Sequence, residues 1–104
     1  MKKIITVSCL CTLAACAASL KFAPSANDLS AMQSRVPGIS YDEVMQGYKL
    51  YTVNCSNCHR LHDPKEYTAD KWNKILPEMF DKAKLADENN RILIRNYIIA
   101  NSKF

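Results

Sequence analysis

The sequence predicts a small all-α domain with three main helices. Three segments each open on a capping residue and continue with apolar side chains at helical spacing. No alternation of strands with helices appears anywhere in the chain. Only about 66 residues are left for the compact part, which is near the lower limit for a core built without outside help. The domain is expected to span residues 38–104.

The first fifteen residues have the form of an export signal, with a basic Lys2-Lys3 head and an apolar run over residues 4–15. That run is too short for a permanent membrane helix, which needs about 20 apolar residues. Next comes Leu13-Ala14-Ala15-Cys16, which resembles the lipobox of bacterial lipoproteins, where the cysteine is acylated and becomes the first mature residue. The resemblance implies an exported protein with a lipid anchor at Cys16 on the periplasmic side of a bacterial membrane. Ala17, in place of an aspartate, leans toward the outer membrane. The small residues around Cys16 also fit ordinary secretory cleavage, which would leave a reactive thiol in an oxidising compartment.

Processing changes the charge. The whole chain has 14 basic and 10 acidic side chains, and loss of Lys2 and Lys3 leaves 12 against 10. So small an excess gives no reason to expect nucleic acid or acidic lipid as a partner.

Residues 16–37 read as a flexible tether, being small, polar and aperiodic, with Pro24 and Pro37 opposed to a long helix. The other arrangement open to them is for Phe22, Leu29 and Met32 to lie across the domain. The first helix is expected over residues 41–53. Ser40 and Glu43 form a capping box, Ile39 and Val44 a hydrophobic staple, and Val44, Gly47, Tyr48 and Tyr51 one apolar face. Gly47 has no side chain and would let the last helix approach closely.

A second helix follows Thr68 as its cap, with Asp70 at its positive end and Tyr67 stapled to Trp72. Its expected apolar face is Trp72, Ile75, Met79 and Ala83, and Pro77 should bend or interrupt it. Asp87 caps the last helix, whose stripe is Leu93, Ile94, Tyr97 and Ile98.

Between the first two helices stands Cys55-Ser56-Asn57-Cys58-His59, a C-x-x-C-H that reads as a covalent c-type haem attachment site. Two thiols three positions apart can form thioethers with the two vinyl groups of one haem, and the next residue offers an imidazole to the iron. A bare C-x-x-C would be weaker, because dithiol redox pairs and half zinc sites share it. A zinc site would need about four ligands, and only His62 and scattered carboxylates remain to complete one. A large apolar macrocycle would also supply core that so short a chain lacks.

With these residues in place, the chain resembles the small bacterial monohaem class I cytochromes c over roughly residues 38–100. The resemblance rests on Gly47, Tyr51, Cys55-x-x-Cys58-His59, Leu61-His62-x-Pro64, Tyr67-Thr68, Trp72 and Leu76-Pro77-x-Met79. It implies a class I cytochrome c-like fold around one haem c, with His59 as proximal and Met79 as distal iron ligand. Met79 also fits an ordinary core role. Met45 and Met32 are its rivals, the latter only if the tether folds back. His62 is too close to His59 to reach the opposite side of the ring and is expected at the surface or at a haem propionate.

Pro64 resembles the proline of the loop beneath the proximal imidazole. Tyr51, Tyr67, Trp72 and Tyr97 are candidate donors to the haem edge, with Trp72 the preferred propionate contact. Each also fits core packing. Lys71 and Lys74 are candidates for a docking rim.

The implied function is that of a one-electron carrier, not an enzyme. It would cycle the haem between Fe(III) and Fe(II) in an exported electron-transport chain, with redox proteins as partners and no small-molecule substrate. The competing functions are a haem-based module that binds or senses diatomic ligands at an open distal site, and a lipoprotein subunit whose haem serves mainly stability.

Overall fold

The structure, a computed structural model, describes residues 21–55 and 60–104. These form an all-α fold of four helices: α1 (Leu29–Arg35), α2 (Tyr41–Cys55), α3 (Ala69–Lys82) and α4 (Glu88–Ala100). Short 3-10 turns occupy Ala26–Asp28 and Pro64–Glu66. The described residues contain no β-sheet. Their one bridge pairs Thr68 with Lys103, whose N–H donates to the Tyr67 carbonyl at 3.0 Å. No helix among the described residues is long and apolar enough to cross a membrane.

The three expected helices start where their caps predict. Ser40 Oγ accepts the Glu43 N–H at 3.1 Å, as the cap requires, and its hydroxyl donates to the Glu43 carboxylate at 3.2 Å. Thr68 Oγ1 accepts the Lys71 N–H and Asp87 Oδ1 the Asn90 N–H. Each cap satisfies a donor that the first helical turn leaves without a partner.

The core lies where α2 packs on α4. Val44, Tyr48 and Tyr51 of α2 are buried together with Ile94, Tyr97 and Ile98 of α4. At the crossing, a side chain on Gly47 would run into the Leu93 carbonyl oxygen and come within 2.7 Å of Tyr97 Cβ. The two helix backbones therefore touch because position 47 carries only hydrogen.

One expectation about α3 needs correction, and that of a bend or interruption at Pro77 is narrowed. Its buried face is Trp72, Leu76 and Phe80, while Ile75, Met79 and Ala83 lie beside it, half-buried. Pro77 does not interrupt the helix, which runs on to Lys82. A proline removes one backbone bond, but Leu76 and Phe80, on either side of it, are both held in the core.

The largest difference concerns the tether expected over residues 16–37. Its described part, residues 21–37, is packed on the domain. Met32 is only 1% exposed, Pro24 is buried, and Leu29 and Val36 pack against the core. The periodic signal is short, Leu29 and Met32 on a seven-residue helix with Val36 at its C-cap, and is easily lost among small polar neighbours. Arg35 ties the end of α1 to the other terminus, its Nη1 donating to Ser102 Oγ at 2.7 Å. Gly38, at φ 78°, turns the chain from α1 into α2 in a conformation suited to glycine.

Replacing a helical glycine by alanine ordinarily stabilises by about 1 kcal/mol. At the α2–α4 crossing Gly47→Ala should do the reverse and lower the unfolding free energy by about 1–3 kcal/mol through overpacking. Denaturant titration of wild type and variant reads the sign directly.

Candidate functional site

Cys55 is the last residue of α2 and is 9% exposed. Helix α2 thus delivers the first thiol of the C-x-x-C-H run to the edge of the core. Cys58 and His59 lie outside the described residues. The chain is described again at Arg60, and residues 61–66 return across the end of α2 toward α3.

Two buried aromatic side chains hold that return. Tyr51 Oη donates to the His62 carbonyl at 2.6 Å, and Trp72 Nε1 donates to the Pro64 carbonyl at 2.7 Å. Both side chains are fully buried. One bond comes from α2 and one from α3, so the loop after the motif is fastened to both helices. Burial, followed by the nearby Cys55 thiol, pushes the Tyr51 hydroxyl well above its usual range, so it remains a protonated donor.

These bonds show where the aromatic candidates direct their donors. Trp72, expected to contact a haem propionate, has a single N–H donor, and that donor serves Pro64 inside the core. Tyr51 and Tyr97 likewise donate to backbone carbonyls, of His62 and Phe22. Tyr67 is half-buried with its ring edge-on to Trp72, the centroids 5.2 Å apart, consistent with the expected staple. Tyr51, Trp72 and Tyr97 thus each combine a buried ring with an internal hydrogen bond.

His62 is half-buried, and its Nδ1 lies 2.7 Å from Glu66 Oε2. Arg60 approaches the same carboxylate at 3.4 Å. The His62 hydrogen bond first, then the Arg60 charge, holds the Glu66 carboxyl below the usual carboxylate range. The first described residue after the motif is thereby linked to the 3-10 turn at Pro64–Glu66.

The methionines separate by burial. Met32 is a core side chain, whereas Met45 and Met79 pack against the core and remain partly uncovered. Met79 sits on the flank of α3 in register with Ile75, one turn before it. Leu50 of α2 and Leu61 of the return loop also pack on the core without being covered by it. The described sulfur and apolar candidates are thus Cys55 at the end of α2, the half-buried Met79 on α3, and the part-covered Leu50 and Leu61. Among the described residues no group of three or more His, Cys, Asp or Glu side chains is placed to hold a metal ion. Lys71 and Lys74 are exposed on α3, as a docking rim or a plain solvated face would both require.

The sequence reading did not identify the bonds from Tyr41, Tyr48 and Tyr97 to residues 21–24. Tyrosines seven positions apart on α2 and one on the stripe of α4 were a usable signal, because a buried phenol needs an acceptor.

Trp72→Phe keeps the ring but leaves the Pro64 carbonyl without its donor, and should cost about 1–3 kcal/mol of stability in a denaturant titration. Glu66 has its carboxyl lowered in the folded state, so its contribution to stability is complete above the ordinary carboxylate range, about pH 4.3. That contribution is lost as pH falls through the folded value. Glu66→Gln should therefore flatten the acid side of the stability profile while leaving the neutral side parallel to wild type.

No family model, characterised protein or solved structure matches this chain.

Proposed function

We propose that the chain is an exported one-electron carrier with a single c-type haem. The observation that carries this reading is Cys55-x-x-Cys58-His59 beginning at the buried C-terminal end of α2. Cys55 and Cys58 would hold the macrocycle through thioethers, and His59 and Met79 would ligate the iron from opposite sides. When bound, the haem supplies reversible exchange between Fe(III) and Fe(II).

The chain's own part is to hold the ligands still and keep water out. Tyr51 and Trp72 fasten the loop that follows His59, which limits movement of the proximal side. Leu50, Leu61 and Ile75 offer the part-covered apolar surface that such a group would bury, and burial strengthens each polar contact within. A thioether and a low-dielectric pocket favour the reduced iron over two imidazoles. Met79 lies on the flank of α3, outside its fully buried stripe and partly uncovered, so its thioether is not enclosed by the core. Partners on this reading are redox proteins, and no substrate is transformed.

The same half-buried position allows a rival, in which Met79 only packs and the open distal side takes a diatomic ligand. The spectrum of the oxidised, matured protein separates the two. A weak far-red sulfur-to-iron band is expected in wild type and Met45→Ala, and should vanish in Met79→Ala. A high-spin wild-type spectrum favours the ligand-binding module. A colourless preparation with the mass of polypeptide and lipid alone ends the haem reading.

A further inference from the structure

Three tyrosine hydroxyls clasp the segment that precedes the helices. Tyr48 Oη donates to the Lys21 carbonyl at 3.1 Å, Tyr97 Oη to that of Phe22 at 2.6 Å, and Tyr41 Oη to that of Pro24 at 3.4 Å. Tyr41 and Tyr48 belong to α2 and Tyr97 to α4, so both crossing helices grip the same four residues. Burial raises the hydroxyls of Tyr48 and Tyr97, which keeps both protonated. Phe22 sits at φ 64°, a left-handed conformation that a bulky side chain adopts only where its surroundings impose it. Residues 22–25 share a cleft of about 130 Å³ with residues 63–65, part of the loop that follows the attachment motif. Beyond the clasp, buried Met32 and the Arg35–Ser102 bond fix α1.

The clasp changes the reach of an anchor at Cys16. Only four residues, 17–20, separate Cys16 from the held Lys21. Five Cα steps span at most about 18 Å, whereas a free tether running to Gly38 would span about 75 Å.

We infer that the lipid-anchored domain docks directly on the bilayer surface, with the Lys21 side and the loop over residues 61–66 turned toward the lipid. The occupant of this face is the lipid surface itself. A redox partner would then have to meet the domain at the membrane surface, since the domain cannot swing out to a distant one. The inference rests on the lipoprotein reading of Leu13-Ala14-Ala15-Cys16 and is independent of which group ligates the iron.

The test uses the mature, acylated holoprotein on vesicles and supported bilayers of phosphatidylethanolamine and phosphatidylglycerol. Brief trypsin treatment should spare Arg35, with cleavage there roughly tenfold faster or more in the Tyr48→Phe/Tyr97→Phe double variant, as expected for loss of two hydrogen bonds. Neutron reflectometry should find the protein layer against the headgroups. Sixteen Gly-Ser residues inserted after Leu20 should open a hydrated gap. Prompt release of the native domain by cutting at Arg35, or a gap of tens of ångströms in the native chain, would overturn the docking. A mass without acyl chains at Cys16 would overturn the lipoprotein reading and the docking with it, while the coloured carrier would stand.

Discussion

The contact of α2 with α4 at Gly47 is the constraint on which the other features depend. Because the Leu93 carbonyl and Tyr97 Cβ occupy the space a side chain at position 47 would need, the two helices cross with their backbones in contact. That crossing brings Tyr48 and Tyr51 of one helix to Tyr97 of the other, with ring centroids 5.5 and 5.7 Å apart. It also fixes the direction in which α2 runs, and so where Cys55 arrives. A wider separation would loosen the aromatic cluster and move the first residue of the C-x-x-C-H run together.

The fold uses the polar atoms of its buried aromatics in one consistent way. Tyr48, Tyr51, Trp72 and Tyr97 each donate to a carbonyl of an irregular segment: residues 21 and 22 on one side, residues 62 and 64 on the other. Irregular backbone leaves carbonyls without helical partners, and a phenol or indole buried in a core needs an acceptor. Each group satisfies the other, and two loops that could be mobile are fastened to the crossed helices. The loop next to the candidate site therefore inherits the rigidity of the core. For the proposed carrier this matters because a ligand set that moves little between oxidation states needs little rearrangement on electron transfer.

Much of this was legible in the residues. Ser40, Thr68 and Asp87 announced the starts of α2, α3 and α4, because a cap acts within three residues of itself. The apolar positions of α2 identified its buried face, and Gly47 its close approach; on α4 Ile94, Tyr97 and Ile98 are buried as expected, while Leu93 is half-buried and Ile99 and Ala100 join the core. The face of α3 was misjudged by one position. Ile75 and Met79 compete with Leu76 and Phe80 for the same arc, and only the packing against α4 chose between them. The 3-10 turns and the return loop carry no periodicity, so nothing in the sequence reported their partners.

Local chemistry is what the sequence by itself determined: the C-x-x-C-H run, the caps, the helical stripes and the signal-like start are all patterns within a few neighbouring residues. Tertiary structure alone decided the fate of residues 21–37 and of the aromatic donors. The bond from Tyr48 to Lys21 joins positions 27 apart, and that from Tyr97 to Phe22 positions 75 apart. A small polar segment looks like a tether when its neighbours along the chain are all that can be seen. It becomes part of the domain because two crossed helices happen to offer hydroxyls where its carbonyls pass, and no local pattern encodes that meeting.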